Sequence, residues 1–467
     1  MRRLCAVALP ILLLAGCTLG PKYKRPSVPV PGDFRGAATP PSAASLAETK
    51  WSDLFQDDVL KKLIASALEH NLDLAIAAQR VEEARAQYRI TGANRYPFLY
   101  ADVELDSTRP SRIGASRGVP QNVSMDATYT QAGAALSWEL DLWGRLRRLT
   151  EAARAQYLAT EEASHGVTVS LVADTAISYF TLRERDLELE IARGTRDIAS
   201  RNLDLIRLRH DHGAASALDV HQAEQFLYIS SAQIANTQSG IGQAENAVSL
   251  LLGQPPGDVE RGKPIDQFAL PPELPAGLPS SLLARRPDIR EAEDRLIAAN
   301  AQIGVAKAYY FPQISLTGFL GGQSRALTQL FTGPARFWTI SPSALAPIFT
   351  AGQVKVAVRL SEAQKKEMVL AYQKSIYTAF REVSDSLVRY QHTREQRQQQ
   401  DDLVKALVET SRLSNQRYQA GLDSYLQVLD AERNLFQARL ALAQLRLQEL
   451  IAYVDLYRAL GGGWNYS

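Results

Sequence analysis

The sequence predicts a mixed, mainly α-helical protein with a membrane β part and two internal structural repeats per chain. Residues 209–224 and 417–432 are two copies of one segment at an offset of 208 residues, which indicates a duplicated fold. The segments Gly144–Gly213 and Gly352–Gly421 have equal length (213 − 144 = 421 − 352 = 69 steps). Their apolar positions are mixed with many Gln, Arg and Glu residues, as in long helices that pack along one seam and keep one face in water. Other stretches alternate apolar and polar residues, which is typical of strands.

The offset of 208 residues also holds outside the copied segment. Gly144 matches Gly352 upstream, and Leu252-Gly253 matches Leu460-Gly461 downstream. An unbroken offset over so long a span predicts two structurally equivalent halves rather than a stack of short repeats. The proline-rich residues 254–284 are the predicted linker between the two halves.

The N-terminus has the pattern of a bacterial lipoprotein signal. Arg2-Arg3 precedes an apolar stretch that is too short to span a membrane, and small residues lead to Cys17. By resemblance, residues 1–16 are a cleaved signal peptide, lipid such as palmitate is attached to Cys17, and sorting is to the outer membrane. The alternative is an ordinary signal peptide in which Cys17 is incidental. Residues 17–50 are then a lipidated, proline-rich, extended tether that contributes to no core.

An amphipathic helix is predicted at the start of each half. In residues 51–95, apolar side chains recur at spacings of three and four, which predicts one helix from Asp57 to about Asn94. Its counterpart lies in residues 285–310, and a proline follows each helix. Both helices are assigned to the periplasmic part of the protein.

After each of these helices the apolar period changes from 3.6 to 2. Residues 96–140 and 311–350 each predict a pair of strands with one apolar face, and such strands suit a membrane barrel. The loops within the pairs, about 108–126 and 322–335, are rich in Gly, Ser, Arg and Pro and are expected on the extracellular side. Pro342 is expected to interrupt the fourth strand. The alternating acidic residues that would line a lumen or lie near the barrel's periplasmic mouth are Asp102, Glu104 and Asp106.

Each half continues into a long helical hairpin. Gly213 and Gly421 are the expected C-cap glycines at the reversals, and Ser216 and Ser424 follow as natural N-caps of the returning helices. The first helix of each hairpin would reach roughly 100 Å, which no globular core needs. The predicted ranges are 141–253 and 351–460 for the hairpins, 210–217 and 418–425 for their tips, and 461–467 for a C-terminal tail.

Four strands are too few to close a barrel in a membrane. Single-chain membrane barrels have about eight strands or more, and open sheet edges are not tolerated in lipid. The chain is therefore expected to share strands with copies of itself, and three chains give 3 × 4 = 12 strands. The predicted assembly is a homotrimer whose 12-stranded transmembrane β-barrel continues into a long periplasmic α-helical barrel.

Several longer motifs resemble one family. They are Tyr23-Lys24-Arg25-Pro26, WSDLFQDDVLKKLIASALEHNLDLAIAAQRVEEARAQ at 51–87, WELDLWGRLRR at 138–148 and LLARRPDIREAE at 282–293. With the paired turns, they are similar to the outer membrane factor family, the TolC-like exit ducts of tripartite efflux pumps, in its lipoprotein (NodT-type) branch. The resemblance implies a trimer that works with a periplasmic adaptor (membrane fusion) protein and an inner-membrane RND-type pump, without a cofactor.

The resemblance also implies a gate at the periplasmic end. Tyr418, Leu426 and Asp430 match the family positions that constrict the closed aperture, and three copies of Asp430 would form an anionic ring that favours cations. An isolated aspartate would more often cap or solvate a helix. The exposed tips that would receive the adaptor's helical hairpin are Gly213, Ser216, Gly421 and Ser424.

The residues that lock this gate are less defined. Asp423 lies where some family members carry an arginine that locks the gate. A lock in this chain would therefore use other partners, such as Asp219 with Arg209 or Arg417.

Composition and motifs argue against several function classes. The net charge is +2 without a large basic patch, which gives little support to nucleic-acid binding. Both cysteines lie in the first 17 residues, so thiol chemistry is not expected beyond them. We find no phosphate loop, nucleophile motif or acid–base pair, so neither an enzyme nor catalytic residues are expected. A metal site is one hypothesis for four polar residues near the first reversal, but their spacing matches no strong zinc signature, and we interpret them as a polar turn. They are His210, Asp211, His212 and His221.

The favoured hypothesis is a lipid-anchored exit duct in the outer membrane with a large periplasmic part. It would be a passive, gated channel that exports drugs or other small toxic molecules. An alternative within transport is the outer-membrane duct of a type I protein secretion system, and the sequence leaves substrate, pump and adaptor open. An alternative from another class is a lipid-anchored periplasmic coiled-coil scaffold without a pore, which has no use for the alternating strands.

Overall fold

The structure is a computed structural model that describes residues 18–37, 45–111, 113, 120, 123–268, 270 and 274–464. These residues form two compact units, each assembled from three stretches of chain. The sheet unit comprises the described residues up to Pro26 and two further stretches, Val81–Thr160 and Ala292–Tyr372. The hairpin unit comprises Ser27–Arg80, Glu161–Glu291 and the described residues from Gln373 onward.

Long helices dominate the part of the chain that the structure describes, and four strands lie between them in sequence. The helices, α1 to α9 in chain order, are Trp51–Leu54, Asp58–His70, Leu72–Ala93, Arg145–Asp211, Ala217–Leu251, Leu282–Arg285, Pro287–Ala308, Gln353–Gln419 and Tyr425–Ala459. The strands, β1 to β4, are Phe98–Thr108, Ala127–Leu140, Gln313–Ser324 and Arg336–Leu345.

The two helical hairpins, α4–α5 and α8–α9, have helices of equal length. α4 and α8 each contain 67 residues, and α5 and α9 each contain 35. The first and last residues of each helix in the second hairpin lie 208 residues after those of its counterpart in the first, as in 353 − 145 = 459 − 251 = 208. The offset that relates the sequence copies therefore also relates the helices they form. None of the helices within the described ranges combines the length and the apolar content that crossing a bilayer requires.

Glycines with left-handed backbone conformations mark the same points in both halves. They lie where the long helices begin and where each helix of a hairpin ends. An L side chain is strained in this conformation, so glycine is the residue that these turns require. The three pairs, each separated by 208 residues, are Gly144 and Gly352, Gly213 and Gly421, and Gly253 and Gly461.

The prediction of one helix from Asp57 to Asn94 is wrong, because the helix is broken at Asn71. The extended backbone of Asn71 (φ −64°, ψ 130°) ends α2. Its side-chain oxygen accepts a hydrogen bond from the Leu74 N–H (2.9 Å) and so caps α3. Its amide nitrogen donates to the carbonyl of Leu251 (2.9 Å), which fixes the break against the end of α5.

The strands form one antiparallel sheet in the order β1-β2-β3-β4. The central pair, β2 and β3, comes from different halves of the repeat and pairs over eleven positions, from Thr130 opposite Ser324 to Leu140 opposite Ile314. The sheet therefore joins the two halves, and β1 and β4 are its edges.

The sheet has one apolar and one polar face, because residues opposite each other on neighbouring strands share a face. On the apolar face, Val103 is 75% exposed and Trp338 is 68% exposed. An apolar surface left this open is typical of a site that meets lipid or another protein. Large residues of the apolar face are Leu99, Val103, Leu105, Leu136, Trp138, Leu316, Leu320, Trp338 and Ile340. Residues of the polar face include Asp102, Glu104, Asp106, Gln131, Ser137, Thr317, Gln323, Thr339 and Ser341.

β4 runs through Pro342, so the expected interruption of the fourth strand is wrong. Pro342 lies opposite Leu316 in the regular register. β4 is an edge strand of this sheet, and an edge strand tolerates a residue without an N–H because one of its sides has no partner in the chain. β3 also extends to Ser324, so the loop after it begins later than residue 322.

The expectation that the proline-rich tether contributes to no core is wrong for its described residues, because some of their side chains pack against helices. In the sheet unit, the Tyr23 hydroxyl donates a hydrogen bond to Glu293 (3.0 Å), and Arg25 Nε donates to the same carboxylate (2.7 Å). In the hairpin unit, Phe34 is buried with its ring centroid 6.0 Å from that of Phe380. A segment poor in apolar residues can still dock through a few anchoring side chains.

Two buried carboxyl groups interrupt the core of the hairpin unit along α4. One apolar cluster surrounds Phe180, a second surrounds Phe226, and Glu184 and Glu188 lie between them. Glu184 is 1% exposed, and the nearest cation, Arg185 Nε, is 3.6 Å from its carboxyl group. Burial, followed by the charge of Glu188, raises the pKa of Glu184 to about 8. Glu184 therefore holds its proton to a higher pH than an ordinary glutamate does.

Candidate functional site at the hairpin tips

The first tip reverses the chain between α4 and α5 with a compact turn. Gly213 has φ +72°, and its N–H donates to the carbonyl of His210 (2.8 Å). The next N–H, of Ala214, donates to the carbonyl of Arg209 (2.7 Å). This pair of bonds is the Schellman motif, which satisfies carbonyls at the end of a helix. No atom lies within 4 Å of a Cβ placed on Gly213, so the backbone conformation and not crowding requires glycine.

The first turn of α5 is closed by a reciprocal capping box. The N–H of Asp219 donates to Ser216 Oγ (3.2 Å), and the N–H of Ser216 donates to Asp219 Oδ2 (2.9 Å). The Ser216 hydroxyl also donates to that carboxylate (2.8 Å). Within the chain Asp219 is therefore a helix cap, and it does not pair with Arg209 or Arg417 as the lock hypothesis supposed.

The second tip repeats the turn but lacks the cap. Gly421 has φ +75°, and its N–H donates to the carbonyl of Tyr418 (3.0 Å). Leu422 N–H donates to the carbonyl of Arg417 (2.9 Å), which completes a second Schellman motif. Ser424 occupies the N-cap position of α9, but its side chain accepts no capping hydrogen bond. The predicted N-cap position of Ser424 is confirmed, but the side-chain hydrogen bond that Ser216 makes is missing there.

An ion pair closes the second tip instead. Arg417 donates from Nε to Asp423 Oδ2 (2.6 Å) and from Nη2 to Oδ1 (3.1 Å), so the two groups form a bidentate pair. The hydrogen bond from Arg417 lowers the pKa of the Asp423 carboxyl below its ordinary value. The lock hypothesis left Asp423 without a partner, whereas the structure gives it Arg417 of the same tip.

Aromatic contacts connect the two tips. The guanidinium carbon of Arg209, from the first tip, lies 4.6 Å from the ring centroid of Tyr418 in the second. The ring of Tyr418 also packs against that of Tyr425, with centroids 5.6 Å apart. Tyr425 is 4% exposed, and this burial raises the pKa of its hydroxyl to about 12. The predicted gate residue Tyr418 is thus held between a cation and a buried ring.

The other predicted gate residues lie on the first turns of α9. Leu426 is 52% exposed, and the exposed Asp430 accepts a hydrogen bond from Asn434 Nδ2 (3.2 Å). Residues four apart on a helix share a face, so one exposed stripe of α9 carries an apolar and an acidic side chain.

A glutamate that occurs in both copies has different surroundings in the two hairpins. Glu432 is buried and accepts hydrogen bonds from Ser411 Oγ (2.7 Å) and Asn415 Nδ2 (3.2 Å). Its counterpart Glu224 pairs with Arg207 Nη2 (2.8 Å) near the surface. The hydrogen bond from Arg207 is the largest cause of a lowered pKa at Glu224.

The histidines of the first tip each have a local partner. His212 Nδ1 lies 2.8 Å from the carbonyl of Leu208, and His221 Nδ1 lies 3.0 Å from Glu224. Across the described ranges, no three His, Cys, Asp or Glu side chains are grouped to hold a metal ion. Cys17, the predicted lipid-attachment residue, lies outside the described residues.

Sequence reasoning missed three contributors to this site: Arg209 as a partner of Tyr418, the buried Tyr425, and the Arg417–Asp423 pair. A signal for them was present in the differences between the copies. At the offset of 208, Asp423 and Tyr425 replace Ala215 and Ala217. Positions where two copies of one turn differ in size or charge indicate where the contacts of the two turns differ.

Comparisons with known proteins match almost the whole chain. A family model described as outer membrane efflux protein matches residues 63–254 and 278–462. The solvent efflux pump outer membrane protein SrpC of Pseudomonas putida is 40% identical over 467 residues, which cover 98% of this chain and 97% of that protein. The cation efflux system protein CusC of Escherichia coli O6:H1 is 37% identical over 459 residues, which cover 97% of each chain.

A solved structure extends the match to three dimensions. The open state of the MtrE outer membrane channel of Neisseria gonorrhoeae aligns with a TM-score of 0.86 and 32% sequence identity. The alignment covers 96% of this chain and 99% of that one. The similarity therefore includes the sheet and both hairpins.

Proposed function

This chain belongs to the outer membrane efflux protein family, and we propose that it is the outer-membrane exit duct of a tripartite efflux pump. In this proposal it is a passive, gated homotrimeric channel that exports drugs or other small toxic molecules across the periplasm and outer membrane. The observation that carries the proposal is the sheet, which exposes a whole apolar face and ends in two edge strands, β1 and β4.

The sheet supports a shared barrel for two physical reasons. Backbone groups at the outer edges of β1 and β4 would be unsatisfied in lipid unless another strand pairs with them. The apolar face, with Val103 and Trp338 largely exposed, gains the free energy of apolar burial when it faces hydrocarbon. Pairing β4 of one chain with β1 of the next closes twelve strands around three chains.

The helical hairpins then form the periplasmic part, with their tips at the entrance. Three copies of the exposed stripe of Leu426 and Asp430 surround the entrance and constrict it together with Tyr418. The Arg417–Asp423 pair and the capping Asp219 hold the tips in the closed geometry. The tips that meet the adaptor's helical hairpin are Gly213, Ser216, Gly421 and Ser424.

The partners follow from this arrangement. In the proposal, an inner-membrane RND-type pump drives transport and a periplasmic adaptor opens the entrance. Lipid on Cys17 anchors each chain in the outer membrane. The family consists of transport channels and not enzymes.

The exposed apolar face also separates the proposal from its alternatives. A periplasmic scaffold would place this face in water at a large hydrophobic cost. A duct for protein secretion would have the same sheet, so only its cargo distinguishes it. The small-molecule channel is favoured because relatives such as SrpC are named for solvent efflux.

The proposal predicts cation-preferring single-channel currents that depend on Asp430. In planar lipid bilayers, the purified protein should give discrete conductance steps. Asp430→Ala should lower the cation-over-anion permeability ratio by about fivefold, the effect of roughly 1 kcal/mol per permeating ion. The measurement is the reversal potential in a KCl gradient.

Asp402→Ala is the matched control, because Asp402 is an exposed aspartate that pairs with Lys405 along α8. Its permeability ratio should equal that of the wild type. A purified protein that is monomeric and gives no conductance, in the wild type or in Asp430→Ala, would overturn the channel. A deletion strain with unchanged susceptibility to solvents and antibiotics would count against small-molecule cargo.

A further inference from the structure

An aromatic pair interrupts the polar face of the sheet. The rings of Phe319 and Phe337 are nearly parallel, with centroids 5.0 Å apart and an interplanar angle of 25°. Both residues lie on the face of Asp102, Gln131 and Thr317 and are half-buried. We call this pair the phenyl platform.

Two glycines make room for the phenyl platform. Gly133 and Gly321 lie opposite each other on β2 and β3. A Cβ on Gly133 would lie 2.7 Å from the ring of Phe319, and a Cβ on Gly321 would lie 2.8 Å from it. The ring therefore occupies the space above both glycines, and the platform extends across the two central strands.

A carboxylate borders the phenyl platform. One row of paired residues crosses all four strands, and it consists of Asp102, Gly133, Gly321 and Phe337. Asp102 therefore lies directly opposite Gly133, one of the two glycines that the Phe319 ring covers. The Cα atoms of such a facing pair are roughly 5 Å apart. An aromatic surface next to a carboxylate is a chemical match for an organic cation, through cation–π attraction and charge.

The charge of the polar face supports the same ligand class. Its strand positions, all of which the structure describes, carry the carboxylates of Asp102, Glu104, Asp106 and Glu139 and neither lysine nor arginine. Glu139 pairs with Arg145 (2.6 Å), and Asp106 accepts a hydrogen bond from the Tyr129 hydroxyl (3.0 Å). Asp102 and Glu104 form no ion pair with any described residue.

We infer that the phenyl platform and Asp102 form a binding site for aromatic organic cations on the polar face of the sheet. The inference rests on the proposed channel, because it takes this face as the lining of the lumen. A ring that only covers sheet glycines, a known stabilising arrangement, would account for Phe319. It accounts neither for Phe337 stacked on Phe319 nor for the unpaired carboxylate at the end of the row.

The test measures how strongly tetraphenylphosphonium blocks the single-channel current. The cation is added to the side of the bilayer on which the β-barrel opens. Tetraphenylphosphonium should reduce the current of the wild type, while tetraethylammonium and the anion tetraphenylborate should not, after subtraction of protein-free bilayers. Asp102→Asn and Phe337→Leu should each weaken the block about tenfold, measured as the fraction of that variant's own unblocked current. Asp126→Asn, a carboxylate outside the strands that pairs with Arg109, is the matched control and should leave the block unchanged.

The outcomes separate this site from the channel itself. Currents that tetraphenylphosphonium and tetraethylammonium reduce equally, or that Asp102→Asn leaves equally blocked, overturn the site and retain the channel. A complete absence of currents overturns the channel and the site with it. Equilibrium dialysis of tetraphenylphosphonium against the protein in lipid nanodiscs gives a second readout that needs no open gate, and equal binding by wild type and Asp102→Asn also overturns the site.

Discussion

The two hairpin tips share a backbone and differ in side-chain chemistry. Both reversals are Schellman motifs on a glycine with φ between +72° and +75°, and both lead into helices of 35 residues. The first tip is closed by the Ser216–Asp219 capping box, and the second by the Arg417–Asp423 ion pair. The duplication has kept the positions that set the path of the chain, while the contacts around them have diverged.

The returning helices differ in burial as well. Nearly every turn of α9 contributes buried residues to the core of the hairpin unit, whereas α5 contributes few. All three predicted constriction residues, Tyr418, Leu426 and Asp430, lie in the second hairpin. In the proposed gate, these residues are therefore presented by the helix that is the more deeply packed of the two returning helices.

The largest predicted contrast between the hairpins is at the equivalent glutamates Glu432 and Glu224. Glu432→Ala should lower the free energy of unfolding by about 2 kcal/mol, because it leaves the buried hydroxyl of Ser411 without its acceptor and removes one of the two acceptors of the half-buried Asn415. Glu224→Ala should lower the stability far less than Glu432→Ala, because it removes a solvent-screened pair near the surface. The measurement is the apparent Tm of the purified protein in detergent at a fixed scan rate.

Glu432→Gln separates charge from hydrogen bonding at this site. It retains an acceptor for Ser411, so its loss of stability should lie between those of the wild type and Glu432→Ala. Equal shifts of Tm for Glu432→Ala and Glu224→Ala would contradict the claim that the hairpins differ in burial at this position.

The next contrast is the dependence of stability on pH at Glu184. The equivalent position of the second half is His392, which is exposed on α8 (184 + 208 = 392). The raised pKa of Glu184, about 8, means that the folded state binds a proton that the unfolded state releases above about pH 4.3. The stability gained from this proton is complete below that pH and is lost as the pH rises through about 8. The apparent Tm should therefore fall between about pH 5 and pH 8 and level off above that.

Glu184→Gln should flatten this profile, because an amide fills the same space without titrating. The charged and polar groups that face the site are Glu188 and Arg185 on α4 and, through Glu188, Gln444 on α9. Glu190→Gln, an exposed position on the same helix, is the control and should keep the slope of the wild type. An unchanged slope in Glu184→Gln would assign the pH dependence to other groups.

Features set by nearby residues could be predicted from the sequence. The helix bounds and the turn glycines depend on conformations that a few neighbouring residues impose, so the copies at 209–224 and 417–432 predicted both reversals. The alternating strands likewise predicted a sheet with one apolar face. The two copies also showed which residues each turn contains, although not which contacts they make.

Features set by distant partners could not be predicted in this way. The break at Asn71 depends on Leu251, which lies 180 residues away, and the docking of Phe34 depends on Phe380. Ser216 and Ser424 have the same local pattern, yet Asp219 is three residues after Ser216 and Gln427 is three residues after Ser424. A comparison of the copies residue by residue, rather than for their likeness, would have predicted that only Ser216 closes a capping box with an acidic partner.

The smallest predicted effect makes that last difference measurable. Ser216→Ala removes both hydroxyl contacts of the capping box and should destabilise the first turn of α5 by about 1 kcal/mol, while Ser424→Ala should change α9 by a few tenths at most. Such local changes are best followed by hydrogen exchange of the backbone amides, because the tips open without global unfolding. Amides 217–220 should exchange about fivefold faster in Ser216→Ala, and amides 425–428 should exchange at nearly the rate of the wild type in Ser424→Ala. If both variants accelerate exchange equally, Ser424 caps its helix in solution, and the two tips differ only by the Arg417–Asp423 pair.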